Sequence, residues 1–181
     1  MALETALFGG GCFWCLEAVF EEVNGVHKVR SGYCGGESVA PDYYEVCAGK
    51  SGHIEVIECN FDPQVVSYRQ LLAVFFSIHD PTSVDHQGND VGPQYRSVIF
   101  YMNEAQRLAA EETINQINAA LGASRVVTEL RATAPFYLAE ASHQSYYRRH
   151  DEMPYCQIVI APKLRLLHER FPKLCGSATA R

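Results

Sequence analysis

Cys12 stands directly after Gly9-Gly10-Gly11, where Leu16, Val19, Phe20 and Val23 begin to recur at helical spacing. Glycines let the chain turn tightly and let a ligand approach the backbone. The start of a helix carries about +0.5 of an elementary charge. A thiolate is favoured there, and a thiol pKa can fall from ~8.5 into the range ~3.5–7.5. The thiolate is the nucleophile, so the pattern predicts that Cys12 carries the chemistry. Cys15 completes C-x-x-C where a helix opens after a strand, a redox arrangement. A zinc reading of that pair needs a second close pair, and Cys156 and Cys175 are too far apart to form one. The expectation is thiol chemistry without metal or cofactor.

A carboxylic acid is the second candidate. Residues 53–61 read as a strand, so positions 55, 57, 59 and 61 share one face. Glu55 then lies with Ile57, Cys59 and Phe61. A carboxyl among apolar neighbours has its charged form disfavoured and stays protonated near neutrality. Taken alone, the pattern favours Glu55 sitting solvated at the strand end.

Other elements must position these groups. Residues 4–8 read as a strand broken by the three glycines. The first helix ends at Asn24-Gly25, and residues 26–33 form the next strand. A long loop follows to about residue 52. After the strand at 53–61, Ser67 with Gln70 forms a capping box. The helix it opens carries Leu71, Leu72, Phe75 and Ile78 and stops at Asp80-Pro81. A second loop runs over residues 82–95, then a strand over 96–101. Asn103 with Gln106 caps a helix whose apolar face is Ala110, Ile114, Ile117 and Leu121, ended by Gly122. Residues 126–130 read as a last strand. This order predicts an α+β fold with helices packed on a mixed sheet of four or five strands.

The chain has 181 residues, 48% of them hydrophobic, which suffices for one core and argues against disorder. Fifteen Lys+Arg against 21 Asp+Glu give a net charge of -6, a poor match to a nucleic-acid backbone. The longest apolar stretch, 71–78, is far short of the ~20 residues of a membrane span. The first residues show no basic region and no long apolar run, so no secretory signal is expected. Seven cysteines without an export signal point to reduced or catalytic thiols in the cytoplasm.

The segment GGGCFWCLE, residues 9–17, resembles the active-site segment of the A-type peptide methionine sulfoxide reductases, which reduce the S epimer of methionine sulfoxide. The resemblance continues in order through Gly32-Tyr33-x-Gly35-Gly36, PDYYEVCAG (41–49), SGHIEV (51–56), HDPT (79–82), QGNDVGPQYRS (87–97) and HQSYY (143–147). It implies a two-layer α/β sandwich of ferredoxin-like type, with helices on one side of a mixed sheet and long irregular segments. It divides the chain into a catalytic domain over 1–156 and a tail over 157–181 packed on it.

The resemblance also implies roles. Cys12 attacks the sulfoxide sulfur and Glu55 protonates the departing oxygen. Tyr43 and Tyr95 hydrogen-bond that oxygen or the water beside it, and Asp90 belongs to the same polar network. Phe13 and Trp14 hold the S-methyl group, a sulfur–aromatic contact of roughly 0.3–1.5 kcal/mol. Cys12 is left as a sulfenic acid that a second thiol condenses with. Cys156, in the mobile-looking segment MPYC, aligns with the family's resolving cysteine and is preferred. Cys15 replaces the usual family glycine and is the alternative. In a regular helix, side chains at i and i+3 lie ~5–6 Å apart, whereas a disulfide needs ~3.5–4.5 Å between Cβ atoms. Cys15 therefore bridges only if the first turn loosens. The implied partners are thioredoxin as reductant, with oxidised proteins and free methionine sulfoxide as substrates, and the chain is expected to act as a monomer. Cys47 matches a family cysteine without assigned chemistry, Cys34 and Cys59 read as packing residues, and Cys175 is a weak match to a third, recycling thiol. Leu164, Leu167 and Phe171 predict a covering helix in the tail. A general thiol-disulfide oxidoreductase using Cys12 and Cys15 is the competing activity, and it would need neither Glu55 nor the two tyrosines.

Overall fold

The computed structural model describes residues 2–123 and 125–176. In chain order they form β1 (Glu4–Gly9), α1 (Phe13–Phe20), β2 (Val26–Cys34), α2 (Tyr43–Cys47), β3 (Ile54–Phe61) and α3 (Tyr68–Ile78). Then come β4 (His86–Gln87), β5 (Asp90–Val91), β6 (Val98–Tyr101), α4 (Glu104–Leu121), β7 (Glu129–Ala132), β8 (Phe136–Leu138), α5 (Tyr146–Arg149) and α6 (Ala161–Arg170). Short 3-10 turns occupy Pro93–Tyr95 and Ala141–His143, and a π-helical stretch, Cys156–Ile160, runs straight into α6.

Six strands form one mixed sheet in the order β7-β6-β1-β3-β2-β8. All neighbours are antiparallel except β6 and β7. Strand alternation sorts the side chains. Ala6, Phe8, Ile57, Cys59, Phe61 and Ile99 share the larger core with residues of α1, α3, α4 and α6. Leu7, Cys34, Ile54, Val56, Val98 and Phe100 form a smaller cluster on the opposite face, covered by Ala134 and Phe136. The register sets Phe8 opposite both Ile57 and Ile99, which fixes the middle of the sheet.

The local signals behave as their chemistry requires. Ser67 and Gln70 make both bonds of the capping box. Asn103 accepts from the Gln106 amide at 2.9 Å. Gly122 closes α4 in the left-handed region at φ 69°.

Several expectations are corrected. The sheet has six strands, because β8 pairs with the outer edge of β2. The last predicted strand is shifted to Glu129–Ala132, where it runs parallel to β6. The long loop after β2 contains α2, held at its start by Asp42, which accepts from the Glu45 amide at 2.8 Å. The predicted apolar face of α4 is buried only in its first half: Ala110 is fully covered, while Leu121 is exposed. α1 ends at Phe20, earlier than Asn24-Gly25, and a turn fills the difference. The segment around Cys156 is packed structure, with Cys156 and Ile160 fully buried.

The tail continues the same core. Leu167 is fully buried, Asn24 N donates to Leu174 O at 2.7 Å, and Val23 pairs with Cys175. The end of the tail, 177–181, lies outside the described residues. Among the described residues no helix is long and apolar enough to cross a membrane.

Candidate active site

Cys12 is the N-cap of α1, with φ -58° and ψ 126°. Its position depends on Gly11, whose φ is +98° and whose added Cβ would lie 2.9 Å from Gln87 Cβ and Cγ. Gln87 in turn accepts from Asp80 N at 2.8 Å and donates to Asp80 O at 2.7 Å. The QGND loop is thereby fastened to the end of α3, with its glutamine against the glycine turn and Asp90 facing the site.

Glu55 points to the same place from β3. It is 1% exposed and accepts from Phe13 N at 3.0 Å. The free N–H groups of a first helical turn need such an acceptor. The parity argument holds: Glu55 lies on the face of Ile57, Cys59 and Phe61, and it is buried there, not solvated. Burial raises its pKa to about 8, against the lowering effect of the Phe13 amide. The nearby negative groups Asp90 and Cys15 add to the rise. At neutral pH the carboxyl is mostly protonated, and with one oxygen accepting from Phe13 the other is left to carry the proton.

Each residue assigned to attack, proton donation, oxygen binding or methyl binding borders one cavity of about 220 Å³. Tyr43 comes from the first turn of α2, and its amide donates to Glu140 Oε1 at 2.7 Å. The Tyr33 hydroxyl donates to the other oxygen of Glu140 at 2.9 Å. The loop before α2 is tied by His53, whose Nδ1 accepts from Gly36 N at 3.2 Å. Tyr95 ends the turn Pro93–Tyr95. Burial pushes both the Tyr43 and Tyr95 phenols upward, so they stay neutral donors.

The aromatic wall is built from distant parts of the chain. Trp14 Nε1 donates to His143 Nδ1 at 3.2 Å. The Trp14 ring stacks on Tyr146 at 3.7 Å with 6° between planes. Phe13 packs on Tyr33 and His143 at 5.7 and 5.5 Å. Glu17 accepts from Tyr146 N at 3.3 Å and so holds that stack from inside α1. Gln144 pins the segment to β2 through both the amide and the carbonyl of Ser31.

Tyr155, His143, Tyr146 and Glu17 were given no role by sequence reading. HQSYY and GGGCFWCLE were the available signals, but the side-chain roles depend on packing across 129 residues. Tyr155 borders the cavity as well. Its hydroxyl donates to Asp90 Oδ2 at 2.7 Å and lies 3.5 Å from Cys15 Sγ. With its proton directed at Asp90, that oxygen accepts from the Cys15 thiol.

The thiols depart from expectation in one respect. Burial, then contact with Cys15 and the charge of Glu55, push the Cys12 thiol well above its ordinary value. The helix start does not by itself hold a resting thiolate at Cys12. Cys15 is the lowered one, through its hydrogen bond with Cys12 and the Lys163 charge, against burial. Cys156 is fully buried and borders neither this cavity nor the larger one beyond Cys12. Cys175 donates to Phe171 O at 3.4 Å, away from the site. Among the described residues no cluster of three or more His, Cys, Asp or Glu side chains could hold a metal ion.

The sequence matches the family described as Peptide methionine sulfoxide reductase over residues 4–174. It is 49% identical to "Peptide methionine sulfoxide reductase MsrA" of Chromobacterium violaceum over 173 residues, covering 95% of this chain and 98% of that one. The fold superposes on reduced Mxr1 from Saccharomyces cerevisiae with a TM-score of 0.80 at 28% identity, covering 85% and 89% of the two chains. Mxr1 in complex with Trx2 matches in fold with a TM-score of 0.57 at 22% identity, covering 80% and 84%.

Proposed function

The chain belongs to the peptide methionine sulfoxide reductase family and is an oxidoreductase; we propose that it reduces methionine S-sulfoxide, free and in proteins, by attack of Cys12. The observation that carries this reading is the meeting of Cys12, a buried and protonated Glu55, Tyr43 and Tyr95 around one cavity.

The sulfoxide methyl group sits against Phe13 and Trp14, and its oxygen faces Glu55 and the two phenols. Cys12 attacks sulfur as Glu55 gives a proton to oxygen. The oxygen then passes from the methionine sulfur to the Cys12 sulfur: the substrate S–O bond and the new Cys12–sulfur bond break, a Cys12 S–O bond forms, methionine leaves and Cys12 is left as a sulfenic acid. The Cys12 thiol proton ends on Glu55, which is thereby reset. The two phenols donate to the oxygen while charge develops on it.

Cys15 then attacks the Cys12 sulfenic acid, releasing water and leaving a Cys12–Cys15 disulfide. The sequence pattern favoured Cys156; the packing favours Cys15. Cys12 is an N-cap with extended ψ, outside the regular helix whose i, i+3 spacing would forbid the bridge. The backbone already folds tightly between the two residues, with Cys15 N donating to Cys12 O at 3.1 Å. Cys156 would have to leave the core first.

The disulfide is returned to thiols by thioredoxin, a reading supported by the solved complex of Mxr1 with Trx2. Within this reading the enzyme works as a cytoplasmic monomer, with residues 1–156 as the catalytic domain and 157–181 as a tail packed on it. The antiparallel order β6-β1-β3-β2 supports a ferredoxin-like core, extended by β7 and β8. Replacing Cys12 by Ser should abolish methionine formation from the S epimer. Equal turnover of the R epimer would overturn the proposed substrate.

A further inference from the structure

Closing a Cys12–Cys15 disulfide takes more than two sulfurs within reach. The Cys15 thiol has to lose a proton, and the hydroxyl on Cys12 has to gain one to leave as water. Glu55, Tyr43 and Tyr95 border the smaller cavity and not the larger. Cys15 borders the larger cavity, of about 720 Å³, and not the smaller. Cys12, Asp90 and Tyr155 border both and form the partition between them.

Within that partition the polar atoms make a chain. The Tyr155 hydroxyl lies 3.5 Å from Cys15 Sγ and donates to Asp90 Oδ2 at 2.7 Å. We propose that Tyr155 is a catalytic residue of the resolving step, taking the proton of the Cys15 thiol while handing its own to Asp90. This rests on Cys15 as the resolving sulfur.

The step balances. As the Cys15 sulfur bonds to the Cys12 sulfur, the thiol proton moves to the Tyr155 oxygen and the phenolic proton to Asp90. The S–O bond of the sulfenic acid breaks with its electron pair on oxygen. Asp90, which borders the same two cavities as Cys12, gives its proton to that hydroxyl, and water leaves. The disulfide is made, Tyr155 and Asp90 are restored, and no outside oxidant or reductant takes part.

Each member of the chain is fixed in place. The Tyr155 ring stands edge-on to Trp14, with centroids 5.9 Å apart and planes at 81°. Its backbone caps the π-helical stretch, whose first residue, Cys156, is fully buried. Asp90 pairs with Gln87 in the β4–β5 hairpin, and two hydrogen bonds fasten Gln87 to Asp80. Burial, with the charges of Cys12 and Cys15, pushes the Tyr155 phenol far upward. It stays a neutral hydroxyl that gives one proton only as it takes another.

The other ionisable groups that bear on the chain are Cys12, Glu55, Lys163 and Cys156. Glu55 is mostly protonated at neutral pH and Cys12 carries the hydroxyl. Lys163 borders the cavity with Cys15 as an ammonium that donates to Ile78 O. Burial pushes the Cys156 thiol up, so it keeps its own proton. None of these can accept from Cys15, which leaves the Tyr155–Asp90 pair as the base.

Tyr155→Phe tests the relay, because it keeps the ring against Trp14 and removes only the hydroxyl. Methionine formation and thiol loss are timed in a single turnover without reductant. Disulfide formation should slow about 10²-fold more than methionine formation. In the variant that slowed step should speed up as pH rises, since the thiol then ionises unaided. In the natural chain it should depend little on pH. Asp90→Asn keeps an acceptor that cannot take the proton, so adding it to Tyr155→Phe should slow disulfide formation no further. Equal slowing of both steps, parallel pH profiles, or additive effects in the double variant would overturn the relay. Mapping the bridge separates this from the reading beneath it. A Cys12–Cys156 bridge in the natural chain would overturn Cys15 as resolving sulfur, whereas a Cys12–Cys15 bridge formed at full speed in Tyr155→Phe would overturn the relay alone.

Discussion

The backbone amide of Phe13 donates to the Glu55 carboxyl at 3.0 Å, joining residues 42 positions apart. One bond therefore fastens the first turn of α1, with its Cys12 cap, to the middle of the sheet. It also leaves the other carboxyl oxygen as the one to carry a proton. Cys12 and Glu55 are held by the same contact, so neither can shift without the other.

The Glu55 carboxyl has a pKa raised to about 8 from an ordinary 4.5. In the proposed mechanism its protonated form is the active one, so single-turnover methionine formation should be flat in acid and fall as pH rises through about 8. Glu55→Gln should lower the rate by about 10²-fold or more and remove that inflection. The linkage to stability has the same sign. Because the folded pKa is raised, the folded state is favoured most below 4.5 and loses that advantage as pH climbs to about 8. Denaturation midpoints measured across that window should decline for the natural chain and not for Glu55→Gln.

Gly11 combines a left-handed backbone with a close approach to Gln87. Gly11→Ala should therefore destabilise the fold by roughly 1–3 kcal/mol. It should also displace Cys12 from Glu55, so methionine formation should fall by more than the unfolded fraction explains. Thermal unfolding together with active-thiol titration separates the two effects.

Much of this site could be read before folding. The face on which Glu55 lies was visible through strand parity, since alternation depends on neighbours only two residues away, but its burial was not, because the pattern alone favoured a solvated strand end and the covering residues come from distant segments. The caps Ser67–Gln70 and Asn103–Gln106 were visible because a cap is local. α2 and β8 were not, because each is short and held from afar: Tyr43 N by Glu140, and Phe136 to Leu138 by the outer edge of β2. Tyr155 and Tyr146 were hidden for the same reason, acting through Asp90 and Trp14 rather than through a pattern of their own. The Cys12 pKa was misjudged because the helix start is a local feature, whereas its burial is made by the whole fold.

Glu17 is 2% exposed, and its Oε2 accepts from the amide of Tyr146, whose ring backs Trp14. Glu17→Ala leaves that amide without its acceptor, at a cost of about 1–3 kcal/mol. The stack should loosen and KM for the sulfoxide should rise more than kcat falls. Trp14 is the sole tryptophan, so its fluorescence reports the stack directly. An unchanged emission spectrum would show that Tyr146 holds its place without Glu17.

Cys15 and Cys156 make opposite demands on the fold. A Cys12–Cys15 bridge needs only a local closure at a helix cap, where Cys15 N already donates to Cys12 O at 3.1 Å. A Cys12–Cys156 bridge needs a fully buried residue to leave the π-helical stretch below Tyr155, taking apart the partition that this tyrosine forms with Asp90. In Cys15→Ser, one methionine should still form per chain, because attack by Cys12 precedes resolution, but the sulfenic acid should persist and react with dimedone. In Cys156→Ser the same burst should be followed by loss of two thiols per chain, as in the natural protein. Sulfenic acid persisting in Cys156→Ser and vanishing in Cys15→Ser would return the resolving step to Cys156, and the core around Ile160 and Leu167 would then have to open once in every turnover.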